Sequence, residues 1–409
     1  MELSAFILLV LSVYQLYFLE ISGRYVSLLY FLSLFFVPVL VLTLSKKSIF
    51  KKKITLYVGL VLLASVFSGF WSSDYSEYSK INIQIYVFLM LLCLFYNVIE
   101  YEKVLYYTSF FIFPFFILVV LFRVNPVIEN VFLLSNFSHY FINNNLLEGL
   151  FSDQANNILD PKKSGVFFVN ANVASTTIAI IGFAYFSAFL TSGKKFFLVY
   201  SFFVFLCGFF TGSKFYLVLM LLAIIVFLYI KFGFLFFVFC FLFFVLSVSY
   251  LYYSESELIE KMKDAAAIRI HIWGVFQYLF EKNPIAGLGY GGWKREYYLL
   301  GYYGVLGNYF PPHNILIYMW SNSGLIFVII YIMIILYVFK LSFSMIKSND
   351  GTVKGLGKGL LFSYFWFFSH GLITNYGPFG EDHMLGWLSF ILAVSIRKNG
   401  NKNEECSHI

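Results

Sequence analysis

Three short stretches hold residue types that could do chemistry beside a lipid surface. The first is R-I-H-I-W at 269–273. Arg269 and Trp273 lie one helical turn apart and share a helix face. A guanidinium can grip a phosphate through two parallel hydrogen bonds, and an indole suits the boundary between apolar and wet surroundings. The same pattern also serves an Arg that only faces water or head groups. His271 points to another face. The second stretch is P-P-H-N at 311–314, where two prolines fix the path of the chain into an apolar run. Imidazole is the usual general base near neutral pH, and a helix start favours a nearby anion. His313 and Asn314 are therefore candidates, although a His at that boundary also suits a plain polar interface.

The third stretch is T-G-S-K at 211–214, the polar break in an otherwise apolar run from Phe196 to Ile230. As a single helix this run would measure roughly 50 Å, too long for a bilayer. The chain is expected to turn at Thr211-Gly212-Ser213. Each half then measures roughly 23 Å, short of the hydrocarbon thickness, so the turn should sit just below the outer surface. That puts Lys214 in a recess. A cation at depth costs about 2.5–3.5 kcal/mol, which an anionic partner would offset. The alternative is a Lys that snorkels to the interface.

Other motifs carry less. G-L-G-Y-G-G at 287–292 follows no strand and opens no dinucleotide-binding unit, so its glycines read as tight turns. Glu381-Asp382-His383 are adjacent in one loop, a poor ligand set, and read as a solvated loop. The chain has no HExxH, no paired CxxC, no Walker loop and no Asp-x-Asp. Neither a metal nor a cofactor is expected.

The elements that must position these residues are apolar. Of the 409 residues, 60% are hydrophobic and only 12% charged, and the mean hydropathy is +0.81. A soluble domain carries about 25% charge, so lipid is the expected solvent. The 54 Phe and 32 Tyr read as compositional bias. The net charge of +7 comes with no clustered basic domain, which argues against nucleic acid. Cys93, Cys207, Cys240 and Cys406 suggest no disulfide framework.

Hydropathy predicts about twelve membrane helices, near 3–19, 25–44, 54–71, 81–99, 104–122, 166–190, 196–210, 215–230, 232–253, 315–339, 359–378 and 384–396. No cleavable signal is evident, so the first is expected to stay as an anchor. Lys46–Lys53, Lys194, Lys195, Lys231, Lys340, Lys347, Lys354, Lys358, Arg397, Lys398 and Lys402 then fall on one side, and the other side's short loops hold only Arg24, Lys80 and Lys214. The positive-inside rule makes both termini cytoplasmic. Two long external segments remain, 123–165 and 254–312. The second has apolar residues at helical spacing (Leu258, Met262, Ala265, Ile268, Ile272, Val275, Leu279) and reads as an amphipathic helix on the outer surface. The expected fold is all-α and polytopic. Residues 1–253 hold nine spans, 254–312 form the large external loop, 313–396 hold three more spans, and 397–409 form a cytoplasmic tail.

N-A-N at 170–172, T-G-S-K, R-I-H-I-W, N-P-I-A-G-L-G-Y-G, P-H-N and S-G-L-I-F follow one another in an order that resembles the O-antigen ligase and polymerase family, the Wzy-type polymerases of surface polysaccharides. The resemblance covers residues 165–330. It implies a GT-C-like fold of many membrane helices under an external loop of short helices. It implies inverting, metal-independent transfer of glycan from an undecaprenyl diphosphate donor to a sugar hydroxyl, in the bacterial inner membrane, alongside a flippase and a chain-length regulator. Carried over by position, Arg269 would bind the diphosphate and His313 would act on the acceptor hydroxyl. Asn172, Asn314 and Trp273 would help to hold substrate. Lys214 stands where the family usually has Arg, which keeps the charge without the fork, and Ala171 replaces the Pro common between the two Asn residues.

Such chemistry needs cations for the leaving diphosphate, a base for the acceptor and room for lipid. Three functions compete. A polymerase joins lipid-linked repeat units into O-antigen, capsule or exopolysaccharide. A ligase moves finished glycan to lipid A-core. A lipid-linked oligosaccharide flippase transports without chemistry. The Asn-x-Asn at 170–172 favours the polymerase. Transporters tend to show repeated halves and polar residues near the midplane, whereas here polar residues gather in two external loops.

Overall fold

The computed structural model describes residues 1–21, 24–33, 53–142, 163–168, 170–233, 238, 242, 272–278, 280–301, 311–374 and 376–406. The principal helices among them are α1 (Glu2–Tyr14), α2 (Lys53–Ser68), α3 (Tyr75–Phe95), α4 (Tyr101–Val124), α5 (Pro126–Leu133), α6 (Ala171–Ser192), α7 (Lys195–Phe210), α8 (Lys214–Phe232), α9 (Gly292–Leu299), α10 (Ile315–Ile346), α11 (Gly351–Gly371) and α12 (Asp382–Cys406). Residues 272–278 are also helical. The fold is all-α apart from one antiparallel hairpin, β1 (Tyr17–Ile21) and β2 (Arg24–Ser27).

Five helical segments are long and apolar enough to cross a membrane: Lys53–Trp71, Tyr75–Phe95, Tyr101–Val124, Ala171–Ser192 and Ile315–Ile346. These five correspond to the expected spans near 54–71, 81–99, 104–122, 166–190 and 315–339. The first expected span stops early because Gln15 and Leu16 adopt φ of 59° and 51° and turn the chain into the hairpin. The hairpin also takes the start of the second, at Arg24–Ser27. Glu2–Tyr14, Lys195–Phe210 and Lys214–Ile225 are apolar but shorter. The expected span at 232–253 lies almost wholly outside the described residues.

Helix starts follow local chemistry. Asp74 accepts from the Ser76 and Glu77 amides, Asn170 from Asn172, Asn314 from Leu316 and Ile317, and Asp350 from Thr352 and Val353. Each fills amides that the helix leaves without partners. Packing follows side-chain size. On α11, Gly355 and Gly359 lie one turn apart and back onto α6, where a Cβ would meet Thr191 and Ser187. Gly357, on another face, backs onto Met345 of α10. Small residues let helices approach closely where lipid supplies little hydrophobic drive. α11 thus packs between α6 and α10, α10 in turn packs on α2, and α12 on α3. Trp366, Trp387 and Tyr185 are fully buried between them.

Alternating helix directions give the bundle two ends. At one end the Ile99 amide bonds Glu2, Tyr101 bonds Thr191, and Lys194 pairs with Glu102 at 3.4 Å. Lys398 lines a cavity with Glu100 and Lys194 there. The other end gathers the starts of α3, α6, α8, α10 and α12 with the ends of α2, α7 and α11.

Candidate functional site

The second end holds the described candidates. Asn172 lies in the first turn of α6, set by the Asn170 cap. Its Oδ1 accepts the Ser213 hydroxyl at 2.8 Å, which joins N-A-N to T-G-S-K across 41 positions. Thr211 and Ser213 are buried in that turn. Lys214, however, opens α8 with its side chain exposed on the protein surface. The expected recess is not formed by protein, because the buried residues of the turn are its neighbours and not Lys214 itself.

His313 is half-buried and adopts φ of 48°, in the left-handed region. That conformation costs a residue with a Cβ about 1–2 kcal/mol, and such strain gathers at sites where the surroundings over-determine it. The next residue supplies the constraint. Asn314 caps α10 through Oδ1, while its Nδ2 donates to the Leu372 carbonyl at 3.1 Å. Both polar atoms of Asn314 thus have partners within the protein, the oxygen as the helix cap and the nitrogen through one of its two N–H groups. On the other side of His313, the Trp273 indole donates to the Pro312 carbonyl at 3.3 Å. Trp273 thus anchors the 272–278 helix to the start of α10. Arg269 lies outside the described residues.

A buried cluster that no sequence motif marks lies beside Asn172. His370 is fully buried near the end of α11, and its Nδ1 bonds the Thr176 hydroxyl. Thr176 also bonds Tyr376 at 3.1 Å, and the Tyr376 hydroxyl donates to the Asn172 carbonyl at 3.2 Å. A chain in which each hydroxyl donates once runs from His370 through Thr176 and Tyr376 to Asn172, which puts the imidazole proton on Nδ1. His370 Nε2 then has no hydrogen-bond partner among the described residues. The only signal in the sequence was a lone His inside an expected span. From Trp273 the contacts run through Pro312 and Asn314 to Leu372, then through His370, Thr176, Tyr376 and Asn172 to Ser213.

No family model matches this chain, and no curated protein matches it.

Beside this line of contacts sits a charged group. Lys80 pairs with Glu381 at 3.2 Å. Asp382 accepts from Tyr30 and from Gln84, the latter at 2.6 Å, and Tyr318 donates to Glu77 at 2.5 Å. His383 is buried, its Nδ1 3.1 Å from the Ser12 carbonyl and its ring edge-on to Phe168. The expected solvated loop at 381–383 is instead packed into the bundle, because α12 starts there against α1 and α3. Among the described residues no group of three His, Cys, Asp or Glu is arranged to hold a metal ion.

The glycine-rich turn is a clamp. A Cβ on Gly289 would lie 2.6 Å from the Trp71 carbonyl, and one on Gly287 2.6 Å from the Trp320 carbonyl. Between them the backbone of Leu288 bonds Ser321, and the Tyr290 carbonyl accepts the Ser73 and Asp74 amides. The Tyr290 hydroxyl sits 3.0 Å from Ser65 and 3.2 Å from Ser323. Burial pushes this phenol up to about 12, so it stays neutral. The α10 helix breaks at Gly324, φ 82°, where Leu325 bonds the Ile285 carbonyl. These glycines fasten the turn at 287–292 to α10 and to the end of α2. The loop has its own small core: Ile272 and Val275 pack with Leu288, Trp293 and Tyr297. The described part of the apolar stripe thus faces protein instead of the membrane surface.

Proposed function

We propose that this chain is a polymerase of lipid-linked polysaccharide repeat units, a glycosyltransferase of the bacterial cytoplasmic membrane. It takes glycan from an undecaprenyl diphosphate donor and joins it, with inversion and without a metal, to a sugar hydroxyl of another lipid-linked unit. The observation that carries the reading is the set of hydrogen bonds and short chain segments from Trp273 to Ser213, which gathers N-A-N, T-G-S-K and P-H-N at one end of an apolar bundle. In the resemblance those motifs belong to one site. The lysines at 194, 195, 347, 354 and 398 lie toward the opposite end, which supports an external site and cytoplasmic termini.

On this reading Arg269 and Lys214 meet the diphosphate and stabilise the charge that grows as it leaves. His313 takes the proton from the acceptor hydroxyl as the new glycosidic bond forms. The strained backbone at His313 and the Trp273 anchor hold the base beside the donor.

Arg269→Ala and His313→Ala should each abolish long-chain polysaccharide and leave single repeat units on the carrier. Full-length polymer from both variants would remove the site assignment. The gel pattern of a deletion strain separates the alternatives. One repeat unit on lipid A-core means polymerase, polymer retained on the carrier means ligase, and units trapped inside mean a transporter. A reporter fused after residue 150 should report an external location.

A further inference from the structure

The proposed reaction leaves the buried carboxylate of Glu129 unused. Glu129, on the short helix α5, is 4% exposed. Its Oε1 accepts the Ser164 hydroxyl at 3.0 Å and the Val166 amide at 3.3 Å. The Ser164 amide in turn donates to the Thr211 carbonyl at 3.0 Å. Thr211 is fully buried, and its hydroxyl bonds the Gly208 carbonyl at 2.8 Å. Ser213, two residues on, is held by Asn172. The turn that opens onto Lys214 is therefore gripped from both sides, by Asn172 of α6 and by the 163–168 segment that Glu129 secures.

A carboxylate is a costly way to anchor a loop. Burial penalises its charge unless hydrogen bonds replace the lost water. Apolar contacts would tie the segment down without that penalty, but they would not set the height of an amide to within a hydrogen bond. Here the position of one amide matters, because Ser164 meets the first carbonyl of the T-G-S-K turn. Only acceptor atoms are needed on Glu129, since both partners donate.

We propose that Glu129 is a positioning residue for Lys214. Acting through Ser164, it fixes the Thr211–Ser213 turn so that Lys214 meets the anionic head group of the lipid-linked donor. Glu129 of α5 and residues 163–168 are then part of the donor site, although they contribute no group to the chemistry. This inference rests on the polymerase reading for the identity of the anion, but the tie from Glu129 to the turn stands apart from it.

The test uses the full-length protein in nanodiscs, with undecaprenyl diphosphate as the probe. Glu129→Ala and Lys214→Ala should each weaken binding about tenfold, the size of coupling expected within one hydrogen-bonded network. The double variant should be no weaker than Lys214→Ala alone. Glu129→Gln keeps the acceptor and should bind as the unaltered protein does. Hydrogen exchange over residues 211–216 should rise in Glu129→Ala and stay unchanged in Glu129→Gln. Where Glu129→Ala does not fold, Ser164→Ala removes one of the two donors and should show a smaller rise. Losses that multiply in the double variant, or exchange that stays at its original level in the Ala variants, would overturn the proposal. If the unaltered protein does not bind undecaprenyl diphosphate, the donor assignment fails, and the exchange measurement alone then decides for or against Glu129.

Discussion

Ser213 donates its hydroxyl to Asn172 Oδ1 over 2.8 Å, and this bond ties the turn between α7 and α8 to the first turn of α6. It uses the side-chain oxygen of Asn172 and leaves the amide nitrogen for another partner. Asn172→Asp keeps the acceptor and replaces the NH2 donor. Its thermal stability should stay near that of the unaltered protein, whereas Asn172→Ala should lose about 0.5–1.5 kcal/mol. If the NH2 group contacts substrate, Asn172→Asp loses polymer while its melting temperature holds. Equal polymer from both variants would make Asn172 purely structural.

Asn314 separates in a similar way. Asn314→Asp preserves the cap on α10 but loses the Nδ2 donor to Leu372. Asn314→Ala loses both, and cap removal alone costs about 0.5–2 kcal/mol. Melting in detergent should therefore rank unaltered, Asp, Ala. A pair of variants that melt alike but make no polymer would mark Asn314 as a substrate contact.

The glycine clamp predicts a backbone effect. Gly289→Ala must hold a Cβ at φ of 75° and 2.6 Å from the Trp71 carbonyl. The dihedral alone costs about 1–2 kcal/mol, and the close contact adds to it. Tyr290→Phe removes a hydroxyl shared by Ser65 and Ser323 and should cost about 1 kcal/mol. Limited proteolysis of the 272–301 region should be faster in Gly289→Ala. Unchanged cleavage would mean that the loop is not fastened there.

Glu129 predicts a pH dependence. Burial holds its carboxyl above the ordinary value of 4.5, with hydrogen bonds from Ser164 and Val166 opposing the rise. A carboxyl raised by folding contributes stability that is full below 4.5 and is lost as pH rises through the folded value. Glu129→Gln lacks that loss. Its melting temperature relative to the unaltered protein should climb between pH 4 and pH 7, in the window that opens just above 4.5. A constant difference across that range would show that Glu129 does not titrate in the folded protein.

Much of the helical framework was legible in the sequence. The expected span at 104–122 lies inside α4, the one at 196–210 matches α7, and the turn at 211–213 stands where the length argument put it. These features depend on local composition and on the 1.5 Å rise of a helix, which a reading of consecutive residues captures. The hairpin at 17–27 was missed because Tyr-Phe-Leu-Glu-Ile is apolar enough to continue a helix, and the turn at Gln15 and Leu16 leaves no Gly or Pro to mark it. Glu381-Asp382-His383 reads as a solvated loop because nothing within the loop shows that α12 begins against α1 and α3.

The site divides along the same line. Residue types by themselves determined an apolar, all-α chain with its polar groups at a few helix ends, because hydropathy and capping act over one or two turns. They also singled out Asn172, Lys214, Trp273, His313 and Asn314. Only the tertiary structure decided that Asn172 meets Ser213, that Asn314 is a cap bonded to Leu372, and that His370, Thr176 and Tyr376 lie between them. Those pairings depend on which helices pack together. That in turn depends on small residues such as Gly355 and Gly359 finding α6, a match between surfaces far apart in the chain that no local pattern encodes.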